Sequence, residues 1–180
     1  MSLNRWMKSG VVTAVCAVLL FALSAGLRST AAEKEILARE QMFGTMLPAD
    51  SYEELPYEGD DAGIRAVYRA GEGRIIEVET DGYVDSIVLW VAVDADGTIK
   101  GIAPRKVSET MGLGGRVKND TGFLSQFLGK KTSVTVGQNI DALTGATVSS
   151  KAVARAINAA RAVVTGEDTE SGASEWEEGE

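Results

Sequence analysis

The chain has 180 residues, a net charge of −8 and no histidine. The acid excess argues against nucleic acid, whose phosphates would repel it. The missing histidine removes the commonest general base and metal ligand and excludes Ser-His-Asp and Cys-His catalysis, while a single cysteine, Cys16, excludes an intramolecular disulfide.

Residues 1–9 carry Arg5 and Lys8 ahead of an uncharged apolar run, 10–27 (GVVTAVCAVLLFALSAGL). As a helix that run spans about 27 Å at ~1.5 Å per residue, enough for a slightly thin hydrocarbon core. The positive-inside rule keeps 1–9 cytoplasmic and places the bulk of the chain on the outer face of the inner membrane. The rival reading is a cleaved signal peptide with Thr30-Ala31-Ala32 as a loose cleavage site. The length of the run, and Arg28 between it and that site, favour a retained single-pass anchor. Cys16 follows too little apolar sequence to be a lipoprotein cysteine. Arg5, Lys8 and Arg28 lie in a stretch with no acid before Glu33, so the remainder of the chain is three charges more acidic than the whole.

From 33 to 165 lie about 130 residues, one domain of ordinary size. Apolar Ile36, Leu37, Met42, Phe43, Met46 and Leu47 predict an amphipathic helix over 33–47, ended by Pro48-Ala49-Asp50. Residues 51–63 are acidic and turn-rich and read as a surface loop. Short strands are expected at 64–68 and 74–79. Ser86 to Val93 (SIVLWVAV) is apolar on both faces, so it reads as a buried central strand. Asp94-Ala95-Asp96-Gly97 then turns it into a hairpin with 98–102. Residues 121–127 suit a short helix and 132–136 (TSVTV) a further strand. The clearest helix is 149–164, with Ala152, Val153, Ala156, Ile157, Ala160, Val163 and Val164 on one side, and Lys151, Arg155, Asn158 and Arg161 largely on the other. Residues 166–180 form an acidic tail expected to be disordered. The mixture is α+β: a mixed or antiparallel sheet with flanking helices, preceded by one transmembrane helix.

Two stretches could carry chemistry. In SETMGLGGRV, Gly112, Gly114 and Gly115 permit positive φ, and their amides could form an anion-binding nest, with Glu109 and Thr110 ahead of them. On the glycines alone, a flexible surface turn is the better account. In LTGATVSS, Gly145 removes bulk just before Thr147, and Ser149 and Ser150 precede a helix whose first amides would welcome a phosphate. Capping by Thr147 or Ser149 is the simpler explanation from these residues alone.

DALTGATVSS, however, resembles the flavinylation motif of the RnfG and NqrC subunits of the Rnf and Na⁺-pumping NADH:quinone oxidoreductase complexes. Asp141, Thr144, Gly145, Ala146, Thr147, Ser149 and Ser150 all fit it. Upstream, ETMGLGG resembles that family's Glu-Thr-Pro-Gly-Leu-Gly through Glu109, Thr110, Gly112, Leu113 and Gly114, with Met111 replacing the proline. The family's Gly-Tyr-Gly-Gly-Pro is matched only at Gly82 and Tyr83, and is followed here by Val84-Asp85-Ser86. The likeness runs from Gly10 to Val164 and leaves out the tail.

The resemblance implies FMN bound covalently, by a phosphoester to Thr147. Thr144, Gly145, Ala146, Ser149, Ser150, Glu109, Thr110, Gly112, Leu113 and Gly114 would surround it, with no metal ligands and no catalytic residue. It implies a flavin transferase for maturation and partner subunits in the membrane. The function implied is an electron-transfer subunit of an ion-translocating ferredoxin:NAD oxidoreductase of the Rnf type, without independent turnover. The short chain fits RnfG better than NqrC. The alternatives are a free-standing anchored flavoprotein carrying electrons outside the cytoplasm, which would lack integral-membrane partners, and a cofactor-free anchored binding domain, which would be colourless.

Overall fold

The computed structural model describes residues 33–107, 115, 117 and 120–167. The expected membrane anchor at 10–27, Glu109 to Gly114, and the tail from 168 onward lie outside those residues. Among the described residues no helix is long and apolar enough to cross a membrane. The chain divides into two compact units, Met1–Gln41 and Met42–Glu180. Helix α1 covers residues 33–46, and its described part of the first unit is mostly exposed.

In the second unit a five-stranded antiparallel sheet follows chain order: β1 (Tyr52–Leu55), β2 (Ile64–Ala70), β3 (Gly73–Asp81), β4 (Ser86–Val93) and β5 (Ile99–Val107). Helix α2 (Thr121–Ser125) and helix α3 (Thr147–Thr165) come after it. Strand β4 has the bounds its composition predicts. It is central because both faces are apolar: Ile87, Leu89, Val91 and Val93 face one core, and Ala92 faces the other.

Helix α3 covers the first face. Its Ala152, Ala156, Ala159 and Ala160 let the backbone approach closely, and Val153 and Ile157 fill the space against Ile76, Val78 and Leu89. Full burial of an Ile or Val side chain contributes about 1.5–3 kcal/mol each. On the second face Phe43 meets Tyr52, Tyr68 and Trp90 with ring centroids 5.4, 5.0 and 5.2 Å away. Beyond them the Glu77 carboxylate accepts from Trp90 Nε1 at 2.8 Å and from the Arg105 guanidinium, which lies over the Trp90 ring. The sheet is therefore closed on both sides.

Four expectations are corrected. Residues 52–55 of the supposed acidic loop are an edge strand, pairing Glu53 with Arg69 and Leu55 with Val67. Residues 132–136 are not a strand. They are held by Asn158, whose side chain accepts from Val134 N–H and donates to Val134 C=O, both at 2.9 Å, and by one bridge, Val136 to Ile140. Helix α2 stops at Ser125, and residues 126–129 continue as turns. Arg161 of α3 is buried, not on a solvent face.

Candidate functional site

The segment leading into α3 is held by its main chain. Gln126, just past α2, clamps Asp141: its amide oxygen accepts from Asp141 N–H at 2.7 Å, and its nitrogen donates to Asp141 C=O at 3.3 Å. Ile140 and Leu143 anchor the strip in the core. Ala146 N–H then bonds Leu143 C=O at 2.9 Å, closing a four-residue turn. Gly145 occupies its third position with φ +77°, where a type II turn needs a residue free of a β-carbon.

Ser150 locks this turn from within. Its hydroxyl donates to Ala146 C=O at 2.8 Å and accepts from Leu143 N–H at 3.0 Å. It is fully buried, and Ser149 is only 1% exposed. Thr144, Gly145 and Thr147 face outward, whereas Ala146 is buried. The motif thus alternates anchors, which turn inward, with positions open to a reaction partner.

Capping, the simpler account of these hydroxyls, fails. The N-cap of α3 is Ala146, which makes no side-chain cap bond, and the helix begins at Thr147, two residues before the predicted start. Thr147 is exposed, and its hydroxyl bonds to no described residue. The first helical amide bond, from Ser150 N–H to Ala146 C=O, leaves the amides of Thr147, Val148 and Ser149 without helical acceptors. No acid stands in the first turn, and Lys151 sits exposed just past it, near the end where a helix dipole disfavours a cation. The combination is suited to an anion.

Other elements converge on the same end. Arg74 Nη1, at the start of β3, donates to Val163 C=O near the end of α3 at 2.8 Å. Arg155 Nη2, in the first half of α3, donates to Asp81 C=O at the close of β3 at 3.4 Å. Helix and strand therefore run antiparallel, and the start of α3 lies towards the β3–β4 turn. That turn, Gly82 to Asp85, exposes Tyr83 and Val84. Strand β5 also ends there, since Val107 pairs with Ile87. The chain thus enters the stretch holding Glu109, Thr110, Gly112, Leu113 and Gly114 from the Thr147 end of the sheet; those five residues lie outside the described structure. The Gln126 clamp has no signature in the sequence, because its partner lies 15 residues away.

Comparison with known proteins identifies the family. A family model described as an FMN-binding domain matches residues 82–162, which take in the β3–β4 turn and most of α3. The chain is 38% identical over 98 residues to the G subunit of the proton-translocating ferredoxin:NAD(+) oxidoreductase complex of Clostridium ljungdahlii, covering 51% of this chain and 52% of that one. It is 29% identical to the G subunit of the ion-translocating oxidoreductase complex of Escherichia coli O157:H7, over 85% of this chain and 88% of the other. With the corresponding G subunit of Salmonella typhi it shares 30% identity, over 74% of this chain and 76% of its relative. The chain spans about half the length of the clostridial relative and most of the enterobacterial ones. It belongs to the family of G subunits of ion-translocating oxidoreductase complexes, and carries that family's FMN-binding domain over residues 82–162.

Proposed function

We infer that this chain is the flavin-carrying electron-transfer subunit of an Rnf-type complex that couples electron flow between ferredoxin and NAD to ion translocation. It is anchored by residues 10–27, with its domain outside the cytoplasm, and FMN is esterified to Thr147. The observation that carries this reading is Thr147 itself: an exposed hydroxyl, bonded to no described residue, on the first residue of an uncapped helix.

The residues fit a phosphoester. A phosphate on Thr147 Oγ would meet the three amides without helical acceptors and the positive end of the α3 dipole. Gly145 keeps the approach clear, and Ser150 fixes the turn that presents Thr147. Glu109, Thr110, Gly112, Leu113 and Gly114 would close over the ribityl chain or ring from the segment after β5, and Thr144 and Ala146 would flank the ester. An unaided threonine hydroxyl is a weak nucleophile. Maturation therefore needs a flavin transferase, on which Thr147 Oγ attacks the FMN phosphorus of FAD. The Oγ–P bond forms as the bond to AMP breaks, and the hydroxyl proton leaves to a base of the transferase. Bound flavin supplies the redox chemistry, and the protein supplies position and electrostatics. Lack of histidine is no obstacle, because electron transfer requires no general base.

Intact-mass spectrometry tests the reading. The full chain, co-expressed with a flavin transferase, is expected to gain the mass of one FMN less water, and Thr147→Ala to gain nothing. A bare wild-type mass beside an active transferase would overturn it. Co-purification with integral-membrane subunits separates the complex from a free-standing carrier.

A further inference from the structure

Among the described residues, Arg155 stands without a counterion. Arg65, Arg69, Arg105 and Arg161 each meet a carboxylate. No carboxylate among the described residues pairs with Arg155, although the chain has a large excess of acids. The side chain is half-buried; its one hydrogen bond among the described residues is the 3.4 Å contact to Asp81 C=O, and its Nε is buried without a partner among them. A guanidinium keeps its charge at any ordinary pH, so burial without an anion is costly. It also lies on α3 at the end of the sheet that holds Thr147 and the β3–β4 turn.

Distance decides which anion it suits. Arg155 lies eight residues after Thr147 on the same helix, about 12 Å along the axis at ~1.5 Å per residue. Both side chains lean towards the helix N-terminus, so an ester phosphate on Thr147 would move away from Arg155. The group at the far end of the ribityl chain can fold back over that span. We propose that Arg155 faces the isoalloxazine ring of the FMN tethered at Thr147 and raises its reduction potential by stabilising the anionic reduced ring; this rests on the flavin reading above. Full reduction adds two electrons and one proton. The proton goes to N5, and the remaining negative charge lies at N1 and the adjoining carbonyl oxygen. The electrons come from a one-electron iron–sulfur carrier in the complex, or from dithionite in the test. A fixed cation beside N1 favours that product without exchanging a proton of its own.

The test uses the full, flavinylated chain in detergent, with Arg155→Gln, Arg155→Met and Arg155→Lys. Flavin content is read by intact mass, and the potential by a spectroelectrochemical dithionite titration. All three variants should load flavin. The Gln and Met variants should lose at least tenfold in the equilibrium for reduction, about 30 mV for two electrons, and the Lys variant should keep most of it. Sulfite adds to N5 and leaves its charge on N1, so its Kd should rise at least tenfold in the Gln and Met variants. Unchanged potential and sulfite affinity in whichever of those two folds and loads would overturn the proposal, with the flavin reading intact. An equal shift in the Lys variant would also overturn it, since charge would not be the cause. A wild-type chain that takes up no flavin would overturn the flavin reading, and this one with it.

Discussion

The two ends of α3 are built to opposite specifications. At the C-terminal end, Gly166 closes the helix in the left-handed conformation, its N–H bonding Ala162 C=O at 2.8 Å. Arg161, 3% exposed, donates to Lys131 C=O at 3.1 Å, to Ser133 Oγ at 3.2 Å and to both oxygens of Glu167. At the N-terminal end the first amides lack helical acceptors, the cap residue is alanine and Thr147 is exposed, and midway along the helix Arg155 meets no carboxylate among the described residues. A helix stable enough at one end and along its buried face can leave the other unfinished. Functional groups recruit that kind of unfinished end.

The largest expected effects separate the ends cleanly. Arg161→Ala removes a buried stem and strands the Lys131 carbonyl, and should cost about 3 kcal/mol of stability. Chemical denaturation of the full chain in detergent would measure it, with flavin loading retained below the transition. Thr147→Ala should abolish loading, yet change unfolding free energy by less than about 0.5 kcal/mol, as an exposed side chain without bonds predicts. If Thr147→Ala destabilised the chain as strongly as Arg161→Ala, the N-terminal end would be structural and the contrast would fail.

Much of this was legible in the residues, and the failures have physical causes. Strand β4 and its Asp-Gly hairpin were readable because a run apolar on both faces has few other homes. Edge strand β1 was hidden: its four residues include two exposed glutamates, one on each face, and only its pairing with β2 makes it a strand. Residues 132–136 alternate as a strand should, but the Asn158 side chain meets their backbone donor and acceptor instead of a neighbouring strand. At the site, the Gly-Ala-Thr motif pointed to Thr147, and the pair of serines after it suggested caps. Burial reverses the role of Ser150, which staples the turn from the core side. Arg155 and Arg161 have the same residue type on one helix, and no pattern in the chain tells the paired one from the unpaired one.

Intermediate effects sharpen the comparison. Ser150→Ala should leave Leu143 N–H buried without an acceptor and cost about 2 kcal/mol. Because Ser150 holds the turn that presents Thr147, the variant should also slow flavinylation in a timed transferase assay. Arg161→Ala, at the other end, should not. Gly166→Ala should cost about 1 kcal/mol: the space around it is open, so the penalty is the left-handed backbone at φ +73° alone. Asn in its place should recover part of that loss.

The smallest effect lies in the pH dependence of the C-terminal end. The Arg161 guanidinium, donating to Glu167, holds that carboxyl below its ordinary value of 4.5, against the opposing pull of desolvation. A depressed carboxyl contributes stability that is fully present above its unfolded value and is lost as the pH falls through the folded one. Glu167 is half-exposed, so salt screens the pair and the contribution is modest. Unfolding of the wild type and of Glu167→Gln, compared at neutral pH and below 4.5, should show a wild-type advantage at neutrality that closes under acid and shrinks in high salt. A gap that stayed constant would mean that Lys131 and Ser133 hold Arg161 without its carboxylate. The charge difference between the paired and unpaired arginines would then contribute nothing to the stability of α3.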